Sequence, residues 1–149
     1  MAVQRDRPYA QFNFLVDLGT GDADSPDAGF QECLAIATEV AVAEYRNGND
    51  KENSVHKLTG LSKVADVVLR RGLIGSLTLF EWLNAVRNGD ESTRAVRIQL
   101  LNEDHTEPVM TWTLLNARIV KWAAGPLNAK GSDVAIEEIV LAYERLEVE

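Results

Sequence analysis

Two histidines, His56 and His105, are the first groups able to serve as general bases or metal ligands. Each stands alone in a polar, loop-like stretch with no cysteine or second histidine at ligand spacing, so both read as surface residues. The single cysteine, Cys33, has no histidine nearby in sequence to take its proton and reads as a small packed side chain. One cysteine also excludes an internal disulfide and a cysteine-based zinc site. Glu137 and Glu138 are adjacent, so in a strand they point to opposite faces and cannot act as an acid–base pair. Gly72-Leu73-Ile74-Gly75-Ser76 is too short for a phosphate-binding loop and lacks its lysine, and no Gly-x-Ser-x-Gly nucleophile turn occurs. The aspartates between Gly19 and Gly29 invite a calcium reading, but the twelve-residue ligand spacing and its closing glutamate are missing. Trp82, Trp112 and Trp122 read as packing residues, because a base-stacking platform comes with positive charge. These residues supply no catalytic centre, metal site or cofactor site.

The elements that would carry such residues are mostly strands. Gln11 to Leu18 is aromatic and β-branched, and Gly19 to Gly29 follows as an acidic turn-rich loop. Phe30 to Tyr45 reads as one long strand or two strands with a bend, since Glu39-Val40-Ala41-Val42 alternates with period two. Arg46 to Ser54 is a polar Gly/Asn-rich loop; strands are expected from Val55 to Leu61 and from Lys63 to Arg71. One helix is well marked: Thr78 and Glu81 form a capping-box pattern, Leu77 and Trp82 a staple, and Leu79, Trp82, Leu83 and Val86 an apolar stripe. Asn88-Gly89 supplies its left-handed stop. Arg94 to Leu101, Val109 to Trp122 and Asp133 to Arg145 return to strand, broken by the turn Asn102–Thr106 and by Gly125-Pro126. In the last of these, Ala135, Glu137, Ile139, Leu141 and Tyr143 share one face. The expected fold is mainly β with one α-helix: a small β-barrel or sandwich formed by a single domain over residues 1–149.

The 149 residues can bury a core without staples, and 46% apolar with 26% charged is ordinary for a globular chain. With 15 Lys+Arg against 23 Asp+Glu the formal charge is −8, which argues against binding nucleic acid or an anionic membrane. No apolar run approaches the ~20 residues of a membrane span. Met1 to Tyr9 has no apolar core of a secretion signal, so synthesis and folding in a cytoplasm are expected.

Two features stand out against this plain background. Arg46 to Ser54 lies between strand-like segments, as the tip of a projecting hairpin would. Several long strands in a small chain leave edges, and edges must be covered, charged or paired with a neighbour; pairing between subunits closes a ring.

An ordered set of segments carries a family resemblance: Phe12-Asn13-Phe14-Leu15-Val16, Glu44-Tyr45-Arg46-Asn47-Gly48, Lys57-Leu58-Thr59-Gly60-Leu61, Val67-Val68-Leu69-Arg70-Arg71-Gly72 and Trp82-Leu83. Arg97-Ile98-Gln99-Leu100-Leu101-Asn102, Trp112-Thr113-Leu114-Leu115-Asn116-Ala117 and Val134-Ala135-Ile136-Glu137 continue it in order. Together they resemble the tail tube proteins of contractile phages and phage-like injection systems. The resemblance implies a structural, non-enzymatic subunit that forms hexameric rings. Those rings stack into a hollow tube, which a contracting sheath drives through a target envelope.

The implied partners are further copies of the chain, the sheath, baseplate and spike proteins, and a toxin or DNA as cargo, with no membrane anchor. The particle is a phage tail or injection machine. The alternative implied by the same likeness is a discrete hexameric carrier ring of the type VI secretion kind. In this family the loop corresponding to Arg46–Leu58 reaches the adjacent ring, which makes Arg46, Asn47, Asn49, Asp50, Lys51, Glu52, His56 and Lys57 the expected contact residues. An acidic channel repels an acidic cargo instead of retaining it, and Glu39 and Glu137 are the expected channel residues.

Overall fold

The computed structural model describes residues 1–21 and 24–149. Asp22, one of the acidic-loop residues weighed for calcium, lies outside them. Strand β1 is Phe14–Asp17. In the loop after it, the Asp17 carboxylate accepts the N–H groups of Gly19 and Gly21, and a single 3-10 turn spans Pro26–Ala28. The ambiguous stretch after Phe30 is two strands, β2 (Glu32–Leu34) and β3 (Thr38–Tyr45). The bend falls at Ala35, whose φ of 70° is left-handed, a conformation that costs a residue with a Cβ about 1 kcal/mol.

Strands β4 (His56–Val64) and β5 (Val67–Gly72) break at Ala65–Asp66, later than expected. The β3–β4 ladder runs through to Thr38 opposite Val64, so the pairing partner, not local composition, decides where β4 stops. Helix α1 (Thr78–Arg87) buries Leu79 and Trp82. Its start differs from expectation: Leu77 is the N-cap without a side-chain cap, and Thr78 is already helical. Leu77 stays exposed instead of stapling onto Trp82. The C-terminus is as expected, with Gly89 at φ 95°. Asp90 N–H donates to Ala85 O at 3.0 Å and Gly89 N–H to Val86 O at 3.2 Å, the paired bonds of a Schellman stop. Strands β6 (Arg94–Leu101), β7 (Pro108–Ala124), β8 (Ile136–Ala142) and β9 (Arg145–Val148) complete the chain.

The strand path β1-β6-β7-β8-β5-β2 does not close, and β9 pairs with β7 off that path. Of the barrel and sandwich alternatives, the chain adopts an open sandwich. Strand β7, 17 residues long, belongs to both layers: its first half lies between β6 and β9, and its second half pairs with β8. Val16, Val96, Ile98 and Leu114 from one layer meet Val67, Leu69, Ile139 and Leu141 from the other, with Leu79 and Trp82 of α1 in the same core. The helix lies against β7, where the rings of Phe80 and Trp122 meet edge to face at 5.5 Å.

Register places two charge pairs side by side on β5 and β8, Arg70 opposite Glu138 and Arg71 opposite Glu137. Neighbouring residues in a strand face opposite ways. Arg70 therefore lies on the outer face, where it bridges Glu138 at 3.1 Å and Glu32 at 2.8 Å. Arg71 and Glu137 turn inward and are 1% and 2% exposed. The Arg71 Nε donates to Glu137 Oε1, its Nη1 to the Asp27 carbonyl at 2.6 Å, and Trp122 Nε1 donates to Glu137 Oε2 at 3.0 Å. This overturns Glu137 as a channel residue: its carboxylate is held inside the sandwich, on the face it shares with Ile139 and Leu141.

Candidate assembly surface

Strands β3 and β4 form a two-stranded arm with no ladder to either layer, leaving the body where β2 ends and β5 begins, with Val64 packed against the core at its base. Every residue of the two strands is exposed except Val64. An isolated two-stranded hairpin is marginal in water, because it has no third element against which to bury a face. Between Val40 and Val42 the partner strand steps from Ser62 to Thr59, an extra residue on β4 that twists the arm. Alternation puts Thr38, Val40, Val42 and Glu44 on one face of β3, with Glu39, Ala41, Ala43 and Tyr45 on the other.

The eight expected contact residues are all brought together at the end of this arm. Seven are exposed and Asp50 is half-buried. The tip is held by its own bonds: Tyr45 Oη donates to Asn47 Oδ1, Asn47 N–H to Asp50 Oδ2 at 3.0 Å, and Arg46 to the carbonyls of Asp50 and Glu52 at 3.0 and 3.1 Å. His56 Nε2 lies 3.4 Å from Asp50 Oδ2. These bonds hold the backbone of the tip, and Lys51 and Lys57 stay exposed. Glu39 is exposed on the arm, directly opposite Lys63, well away from Glu137.

Sequence reading missed two apolar surfaces. The arm exposes Val40, Val42, Leu58 and Leu61, the last at 80%. The open side of the sandwich, between the unpaired edges of β1 and β2, holds a groove of about 550 Å³ lined by Phe12, Phe14, Leu34, Ile36, Leu100 and Trp112 among others. The alternation Val40, Val42 was a usable signal for the first. The second had none, since its residues come from three distant parts of the chain.

Cys33 also lines the groove. Burial pushes its thiol up to about 11, which removes it as a nucleophile at neutral pH. Beside the groove, Arg5 clamps the amino-terminal segment to the β6–β7 turn, its two Nη atoms 2.9 and 2.5 Å from the Glu103 carboxylate. That guanidinium, with the backbone N–H groups of Glu103 and Ala10, holds Glu103 down at about 2. Among the described residues, no three His, Cys, Asp or Glu side chains are grouped to hold a metal. No described helix is long and apolar enough to cross a membrane.

Known proteins resemble the chain in sequence and in fold. Residues 10–147 match the family model described as T4-like virus tail tube protein gp19. A chain of the PVC sheath–tube complex, from an extracellular contractile injection system in its extended state, is 27% identical. It superposes with a TM-score of 0.83 over 97% of this chain and 93% of that one. A chain of the anti-feeding prophage baseplate is 29% identical, with a TM-score of 0.81 over 97% of each chain. Hcp1 from Flavobacterium johnsoniae shares the fold at 10% identity, with a TM-score of 0.53 over 91% of this chain and 93% of that one. No curated protein sequence matches the chain.

Proposed function

The chain belongs to the T4-like virus tail tube protein family, and from that membership we propose that its copies close into hexameric rings that stack into a hollow tube, driven through a target envelope by sheath contraction. It is an inner-tube subunit of a phage tail-like contractile apparatus, a structural role. Residues 1–149 act as one tube domain, made in a cytoplasm and built into a particle with sheath, baseplate and spike proteins. The cargo, a toxin or DNA, travels inside.

The observation that carries this reading is the uncovered arm. A free chain that leaves two strands and their valines and leucines in water has a face built to be covered. Arg46, Asn47, Asn49, Asp50, Lys51, Glu52, His56 and Lys57 at its end are the contacts to the adjacent ring. Glu39 is the remaining channel residue. Six chains at −8 each carry about −48, a field that keeps an acidic cargo mobile. Charge reversal by Glu39→Lys is expected to retain cargo; unchanged loading removes Glu39 from the channel.

Electron microscopy of the purified protein at rising concentration, with light-scattering mass, tests the main reading. Six chains of 16.5 kDa give rings of about 99 kDa, which are expected to stack into hollow tubes. Rings that never stack point to the discrete carrier. A monomer at every concentration refutes both.

A further inference from the structure

We propose that Asn47, at the tip of the arm, is a site of spontaneous deamidation in the free chain, and that the reaction limits how long an unassembled copy stays fit to stack. The first half needs no assembly; the second rests on the tube-subunit reading above.

The chain has two Asn-Gly pairs, Asn47-Gly48 and Asn88-Gly89. Each follows an arginine, Arg46 or Arg87, and precedes Asn49 or Asp90. In such a pair the backbone nitrogen of the glycine attacks the asparagine Cγ, and glycine permits the approach because it has no Cβ. The Cγ–Nδ2 bond breaks, ammonia leaves with the glycine N–H proton, and a succinimide remains. Water then opens the ring at either carbonyl, giving aspartate or isoaspartate. With matched neighbours the two pairs have like intrinsic reactivity, so the fold is what separates them.

Access does not separate them, since Asn47, Gly48, Asn88 and Gly89 are all exposed. Hydrogen bonding does. Gly89 N–H donates to Val86 O at 3.2 Å, and Asp90 N–H to Ala85 O at 3.0 Å. Turning the Gly89 nitrogen onto Asn88 Cγ therefore breaks the stop of a helix anchored in the core through Leu79 and Trp82. Gly48 N–H donates to no described residue. Its attack disturbs one turn bond, Asp50 N–H to Asn47 O at 3.1 Å, at the end of a hairpin with no third strand. Local opening is easiest at such solvated ends.

The product alters the tip in charge and in shape. From Thr38 to Val64, Arg46, Lys51, Lys57 and Lys63 balance Glu39, Glu44, Asp50 and Glu52, so the arm is neutral and the body carries the whole −8. Deamidation gives the arm an extra negative charge, in the same turn as the Asp50 carboxylate that accepts Asn47 N–H. A tip so charged meets an acidic neighbour with like charge. The isoaspartyl form also adds a methylene to the main chain, which breaks the spacing that lets Asn47 O meet Asp50 N–H.

Peptide mapping by mass spectrometry follows both sites in the full-length chain, kept dilute enough to stay monomeric and incubated in mildly alkaline buffer. Asn47 is expected to convert at least about fivefold faster than Asn88, a difference supplied by the bonds of the helix stop. In denaturing urea the two rates are expected to converge. Gly48→Ala is expected to suppress conversion at Asn47 and leave Asn88 unchanged. A Cβ at Gly48 meets nothing within 4 Å, so the variant keeps the folded tip. Equal rates in the folded chain, or a faster Asn88, overturn the site, as do rates that stay equally far apart in urea.

Electron microscopy then compares fresh and aged protein. Aged wild type is expected to need a higher concentration to stack, and aged Gly48→Ala to stack as its fresh sample does. Fully converted wild type that stacks like fresh protein overturns the limit on assembly. Fresh protein that never assembles overturns the tube reading and that limit with it, while the rate comparison, made on monomers, stands.

Discussion

Arg71→Met tests whether the inward charge pair holds the sandwich. Arg71 is 1% exposed and Glu137 2%, so removal of the guanidinium leaves a carboxylate inside the core with only Trp122 Nε1 donating to it. Breaking a buried pair in this way costs about 3–5 kcal/mol. Glu137→Leu leaves the opposite problem, a buried guanidinium held by the Asp27 carbonyl, and its cost is of the same size. The double variant Arg71→Met/Glu137→Leu removes both charges. It orphans the Trp122 indole N–H and the Asp27 carbonyl, at about 1–3 kcal/mol. It also removes the desolvation burden of the two ions, so its net cost is expected at no more than about 2 kcal/mol.

Urea and thermal unfolding at a concentration where the chain is monomeric is the assay, since assembly would add its own stabilisation. Each single variant is expected to lower Tm by about 6–20 °C, from about 2–4 °C per kcal/mol for a chain of this size. The costs must also be strongly non-additive. Single costs under about 1 kcal/mol, or a double cost equal to the sum of the singles, refute the buried-pair reasoning.

Three further outcomes follow from other parts of the molecule. Gly125→Ala places a Cβ 2.8 Å from the Ile136 carbonyl oxygen, a backbone atom, and is expected to lose about 1–3 kcal/mol in thermal unfolding. Lowering the pH from about 4.5 to about 2 protonates Glu103, whose carboxyl is depressed to about 2 in the folded chain, so the stability it contributes is present above the unfolded value and lost on acidification through the folded one. Protection of the amides of Val3 and Ala10, whose N–H groups bond Val109 O and Glu103 Oε1, measured against the intrinsic exchange rate at each pH, is expected to fall over that window while the core stays protected. Leu61→Ser, at the most exposed apolar residue of the arm, is expected to leave monomer stability within about 0.5 kcal/mol and to shift ring formation to higher concentration, read by light scattering.

The parts of the fold legible in the sequence are those set by neighbours along the chain. The stripe Leu79, Trp82, Leu83, Val86 and the stop at Asn88-Gly89 mark α1 because a helix is local. Its start was misread because Ser76-Leu77-Thr78 offers two hydroxyls, and the chain enters the helix one residue before the one that fits the capping pattern. Glu137 was half legible. Alternation had already placed it beside Ile139, Leu141 and Tyr143, but its partner Arg71 lies across a strand register that no local pattern fixes. The end of the arm was readable as polar hairpin chemistry. The groove was not, because residues near positions 12, 34, 100 and 112 meet only once the two layers are stacked.

Strand β7 has a mechanical meaning for a part that is thrust along an axis. Its 17 residues pass through both layers, turning at the left-handed Asn116 where the partners change from β6 and β9 to β8, so the layers are joined by one covalent backbone as well as by packing. Sliding one layer over the other would require β7 to shed hydrogen bonds with β6 and β9 or with β8, in series. A push delivered to either layer is therefore shared by both, and the sandwich yields as a single strut with no internal seam to shear.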